Sequence, residues 1–111
     1  MTAAGTTVAP AAMRIRARLQ DGVAEVHLLV PHPMETGLRA DGHGQLAPAH
    51  FITQLRASVG ERTVFSAQMS IAVARDPLLV FRFRGAQAGE RLRVAWTDNR
   101  GLVRVDDAVI S

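Results

Sequence analysis

From Met13 onward, apolar and polar residues exchange places at every second position, the period of a strand with one face buried. Met13, Ile15, Ala17 and Leu19 alternate with Arg14, Arg16 and Arg18, and Asp21-Gly22 then turns the chain. Over 23–30 the apolar set is Ala24, Val26, Leu28 and Val30, with Glu25 and His27 on the other side. Pro31 and Pro33 end this strand because proline donates no ladder hydrogen bond. A segment without periodicity follows, 31–48, with a strong turn signal at Asp41-Gly42-His43-Gly44.

Alternation then resumes. A strand over about 50–58 places Phe51, Thr53, Leu55 and Ala57 on one face. Gly60-Glu61 makes a hairpin into 62–69, and Ser70 to Asp76 reads as a crossing loop closed by Asp76-Pro77. Leu79, Phe81 and Phe83 alternate with Val80, Arg82 and Arg84. After a turn at 85–89, Leu92, Val94 and Trp96 alternate with Arg91, Arg93 and Ala95. Asp98-Asn99-Arg100-Gly101 is a last turn before a strand over 102–110. About seven short strands at this spacing, with no helical period, predict an all-β, immunoglobulin-like sandwich of two antiparallel sheets; a small barrel is the alternative. The inward set centres on Phe81, Phe83, Val94 and Trp96. Residues 1–12, small and featureless, read as a disordered tail ahead of one domain over 13–111.

Composition narrows the chemistry. At 111 residues and 48% hydrophobic, the chain suits a single domain with a packed core. With no cysteine there is no disulfide, thiolate nucleophile or Cys-ligated metal. Thirteen arginines and no lysine stand against ten acidic residues, a formal charge of +3. The arginines are spread along strands, where an outward charge also discourages edge-to-edge aggregation. The aromatics fall on apolar faces and leave little for base stacking, so nucleic-acid binding is not expected. No apolar stretch is long enough for a membrane-spanning helix, and residues 1–10 lack the charged and apolar regions of a secretory signal. The chain is therefore expected to stay in the cytoplasm, to have had a signal trimmed from it, or to leave attached to a partner.

No catalytic constellation emerges. His27, His32, His43 and His50 have no pair at the i, i+2 or i, i+4 spacing of a shared metal site. Ser58, Ser66, Ser70 and Ser111 occupy no nucleophile elbow. Asp106-Asp107 would point to opposite faces of its strand. What packing leaves unexplained is the segment from His32 to Pro48, because compact domains rarely carry so long an irregular stretch without a use.

That segment carries a resemblance. His32, Met34, Glu35, Thr36, Gly37, Arg39, Asp41, Gly44, Leu46 and Pro48 are similar to the signature of the SoxZ family, the small subunit of the SoxYZ sulfur carrier of bacterial thiosulfate oxidation. Ala72-Val73, Asp76-Pro77 and the closing Trp96, Asp98 and Gly101 extend the likeness over 13–111. The resemblance implies an immunoglobulin-like, non-catalytic subunit without cofactor or metal. Its expected partner is SoxY, whose flexible C-terminal tail bears the cysteine that carries sulfur intermediates. Other sulfur-oxidation enzymes would be met transiently through that complex, and the isolated chain is expected to be able to form a homodimer. The expected location is the periplasm, reached with the signal-bearing partner. The residues expected near the thiol arm are His32, Met34, Glu35, Arg39 and Asp41. Arg39 either contacts an anionic adduct or pairs with Glu35 or Asp41 and orders the loop. The alternative is a metal- or ligand-binding sandwich module.

Overall fold

Each alternation becomes a strand in the computed structural model, which describes residues 10–111. Of the expected tail, residues 1–9 lie outside the described residues, and 10–12 have no regular structure. The strands are β1 (Arg14–Gln20), β2 (Val23–Leu29), β3 (Ile52–Val59), β4 (Arg62–Gln68), β5 (Leu78–Arg84), β6 (Arg91–Asp98) and β7 (Val103–Val109). They form two antiparallel sheets, ordered β1-β2-β5 and β4-β3-β6-β7. This is the immunoglobulin-type sandwich with its fourth strand paired to the third instead of the fifth. The barrel alternative is excluded, because the strands lie in two separate sheets.

The inner faces follow the predicted parity. Ala24, Val26 and Leu28 of β2 are fully buried, and so are Leu92 and Val94 of β6; Trp96 is 2% exposed. Phe81 stacks on Phe65 across the sheets with ring centroids 4.3 Å apart, while Phe83 remains partly exposed. Along one side the sandwich is drawn together by the C-terminus. Leu19 N–H donates to the Ser111 carbonyl (2.8 Å), and Ser111 N–H donates to Ala17 (3.0 Å), so the last residue continues the ladder at the free edge of β1.

Two strands depart from simple alternation. At the start of β3 the expected inward set fails. Ile52 is fully buried, whereas Phe51 and Thr53 are only partly covered. A register shift against β6 between Ile52 and Gln54 inserts an extra residue and reverses the parity, so Ile52, Leu55 and Ala57 face the core. In β7, Val103, Val105 and Val109 are exposed, and the opposite side begins with the polar pair Arg104 and Asp106 before Ala108 and the buried Ile110. There Arg104 pairs with Asp106 (2.7 Å), Asp106 accepts the Met13 N–H (2.9 Å) and Arg104 donates to Pro10 O (3.1 Å), fixing the chain's entry into β1. Asp107 points the other way, to Arg93, as alternation requires.

The bulge makes a quantitative expectation. Ile52→Ala should destabilise the domain by about 2–4 kcal/mol through lost burial and a cavity. Thr53→Ala, which forfeits one exposed hydrogen bond to Thr97 O, should cost about 1 kcal/mol or less. Equilibrium urea unfolding of the two variants checks the parity. Equal costs would contradict it.

Candidate functional site

β2 leaves the sandwich at Val30 and β3 re-enters it at Ile52, both fully buried, so the segment between them is tied down at both ends. At the first tie, Val30 N–H donates to Pro77 O (3.0 Å). His32 and Asp76 clamp each other: His32 N–H donates to Asp76 Oδ1 (2.9 Å), and Asp76 N–H to His32 O (3.0 Å). The crossing loop thus meets the motif segment where the prolines stop β2. At the second tie, Phe51 N–H donates to Asn99 Oδ1 (2.8 Å), and Asn99 Nδ2 donates to Ala49 O (3.0 Å). Between them, Glu35 and His50 form an antiparallel bridge. Gly37 sits at φ 84° against Ala49, and a Cβ there would lie 3.1 Å from the Ala49 Cβ, so both backbone sign and space require glycine.

Beneath the segment lies a buried ionic node. Asp98, at the end of β6, is 3% exposed, and its carboxylate accepts four hydrogen bonds. Oδ2 takes His32 Nε2 (3.1 Å) and His50 Nε2 (2.7 Å). Oδ1 takes the N–H groups of Arg100 and Leu102 (both 2.9 Å), closing the β6–β7 turn. Burial alone would raise the Asp98 carboxyl; the two histidine bonds and the two backbone N–H groups outweigh it and hold the pKa below the usual 3.8.

His32 is locked as well. Its Nδ1 accepts the Met34 N–H (3.0 Å), so the ring proton must reside on Nε2, where it is donated to Asp98. Burial, above all, holds the His32 pKa below 6.5 despite the attraction of Asp98, with His50 and Arg100 acting in the same direction as burial. The ring stands edge-on to Trp96 (centroids 5.1 Å) and to His50 (4.5 Å). Met34, at φ 47° and 4% exposed, turns its side chain inward, where its Sδ accepts the Ile52 N–H (3.4 Å).

The expected loop residues therefore divide into two groups. His32 and Met34 are buried supports. Glu35, Arg39 and Asp41 lie outside them on a small hairpin. Arg39 Nε contacts both Glu35 oxygens (3.0 Å), the loop-ordering pairing, and the Glu35 pKa is lowered by that bond. Asp41 Oδ1 accepts the N–H groups of His43 (2.7 Å) and Gln45 (3.0 Å), an Asx-type turn that shapes the hairpin tip. Leu38 (73% exposed) and Leu46 (61%) stand free on its surface.

Sequence spacing did not bring together His50, Asp98 and Asn99, because they come from the entry of β3 and the exit of β6. The available signal was Asp98 itself, an acidic residue immediately after the core Trp96. Beside the node opens a cleft of about 460 Å³ bordered by Pro31, Pro33, His50, Arg75 and Trp96. Trp96 Nε1 is buried and is the one such side-chain atom without a hydrogen-bond partner among the described residues.

His32, His50 and Asp98 offer three ligand atoms within 4.8 Å of one another, the dimensions of a metal centre. The protonation pattern argues otherwise. A metal ion on His32 Nε2 would displace its proton while Nδ1 still faces the Met34 N–H, leaving a ring with no proton on either nitrogen. The three groups satisfy each other as a hydrogen-bonded node.

The family profile described as "Sulphur oxidation protein SoxZ" matches residues 13–109. A search of curated proteins found no match. Among solved structures, a hypothetical protein from Pyrococcus horikoshii is similar at 15% identity (TM-score 0.63; 89% of this chain, 87% of that one). A superoxide reductase in the oxidised state is similar at 13% (TM-score 0.61; 89% and 86%). The reduced superoxide reductase (neelaredoxin) of Archaeoglobus fulgidus is similar at 21% (TM-score 0.58; 90% and 87%). At these identities the likeness establishes the sandwich fold alone.

Two outcomes follow from the node. Because the folded His32 pKa lies below 6.5, the unfolded chain binds the extra proton first, so stability should fall as pH drops below about 6.5. Urea unfolding from about pH 7 to about pH 5 should show this decline, and His32→Asn should flatten it in that window even though the variant is less stable. Zinc added to the purified protein and then dialysed should leave no stoichiometric metal by elemental analysis. Tight one-to-one retention abolished by His50→Ala would overturn the hydrogen-bonded reading.

Proposed function

The chain belongs to the SoxZ family of sulphur oxidation proteins, and on that premise we propose that it is the non-catalytic scaffold of a SoxYZ sulfur carrier. The observation that carries the proposal is the family match over nearly the whole domain in a chain without cysteine. A carrier of covalently bound sulfur needs a thiol, and this chain must obtain one from its partner. In this reading SoxY supplies the cysteine on its C-terminal arm, and the present chain supplies a fixed surface against which the arm rests. Complex formation in the periplasm and transient contact with the enzymes that process the adduct belong to the same proposal.

The node fixes such a surface with no helix among the described residues and no disulfide. Both ends of the motif segment are fastened to the sandwich, so the hairpin bearing Glu35 and Arg39 stands on a rigid base. The exposed Leu38 and Leu46 supply apolar contact area of the kind found at interface centres. The adjoining cleft, bordered by Pro31, Pro33 and Arg75, offers the arm a place to lie. Arg39 is engaged with Glu35. Its remaining guanidinium donors are the groups that would meet a sulfur oxyanion, since the fork geometry suits planar and tetrahedral anions.

Co-expression with a tagged SoxY-like protein tests the assignment. The expected result is a one-to-one heterodimer by native mass spectrometry, weakened at least about tenfold by Leu38→Asp combined with Leu46→Asp, a loss typical of interface anchors. Failure of the unaltered chain to elute with that partner would overturn the scaffold role. An untouched affinity in the double variant would move the interface elsewhere on the molecule.

A further inference from the structure

We propose that the outer face of the three-stranded sheet is a second docking surface, shaped for an acidic protein segment. Pairing of β1 with β2 and β5 aligns the outward residues in rows. Arg14–Leu29–Leu78 and Arg16–His27–Val80 form one end, and Arg18–Glu25–Arg82 and Gln20–Val23–Arg84 the other. The face thus carries five arginines and one acid, and that acid, Glu25, is already bonded to Arg82 (2.8 Å) and His27 (2.9 Å). Among the described residues, Arg14, Arg16, Arg18 and Arg84 form no salt bridge. The other eight arginines and nine acids of the chain leave the rest of the molecule at −1, so this face, at +4, carries the whole positive excess behind the net charge of +3. Asp21, in the β1–β2 turn, marks the end of the face away from Leu78.

Protection of a sheet edge does not account for this pattern. The β1 edge is already covered at Ala17 and Leu19 by the C-terminal residue, and edge protection has no use for two exposed apolar residues, Leu78 (65%) and Val80 (53%), set beside the arginines. Arginine around an apolar patch is the composition of a protein interface. Single-stranded nucleic acid would need aromatic platforms, and the outward positions of these three strands hold no Phe, Tyr or Trp. Carboxylates on a partner would pair with the unpaired guanidinium groups. The face is built on β1, β2 and β5, none of which carries Leu38 or Leu46, so its test does not depend on the carrier assignment.

The test uses the full chain and two labelled probes of matched charge, a glutamate-rich peptide with a central leucine pair and a single-stranded oligonucleotide, read by fluorescence anisotropy. The peptide should bind in low salt, and Arg16→Glu with Arg18→Glu should weaken it at least about tenfold. Arg56→Glu with Arg91→Glu, the same charge change on the other sheet, should alter it about twofold or less. Circular dichroism should show both variants folded, because all four side chains are exposed. Equal loss in the two pairs would reduce the effect to net charge and overturn the proposal. Tighter binding of the oligonucleotide, or no binding of the peptide, would overturn it as well.

Discussion

The Asp98 carboxylate is the constraint on which the functional end of this molecule depends. A buried ionised group is tolerated only when its oxygens are filled, and here four donors from three separate segments fill them. His32 brings the exit of β2, His50 the entry of β3, and Arg100 with Leu102 the turn after β6. One side chain therefore joins the two sheets at one end of the sandwich and determines where the connection between β2 and β3 must run. Loss of any donor leaves the charge less compensated, so the segment cannot drift without cost to the whole domain.

The same constraint separates support from contact. His32 and Met34 stand in the motif but face inward, holding each other and the node through the Met34 N–H and the His32 ring. Glu35, Arg39 and the hairpin closed by Asp41 are carried outward on that base. A chain without cysteine can thereby offer another protein a surface that keeps its shape, which is what the proposed scaffold role requires.

Much of this was legible in the sequence. Alternation along Arg14–Leu19, Ala24–Val30 and Leu92–Trp96 identified the strands and their buried sides, because a half-buried strand admits only one parity. Parity failed at Phe51 and Thr53, where a bulge, which leaves no mark in the pattern, moved the core position to Ile52. The motif segment was visible as an interruption too long to be idle. The node was hidden because its members lie 18, 48 and 66 residues apart and meet only once the sheets are stacked. Spacing rules for paired histidines apply within one helix or strand, and neither element joins His32 to His50. The charge asymmetry of the three-stranded sheet was likewise present as alternating arginines, but only the register of β1, β2 and β5 placed them on one face with Leu78 and Val80.

The Asp98 node is read out by the protonation state of its two imidazoles, through the nitrogen shifts and long-range proton–nitrogen couplings of His32 and His50 in labelled protein near neutral pH. The expected result is a neutral His32 ring with its proton on Nε2 and an unprotonated Nδ1 accepting from Met34, together with a downfield Nε2–H resonance protected from solvent exchange. A His32 protonated at Nδ1, or a charged imidazolium at that pH, would contradict the node and with it the anchoring of the motif segment.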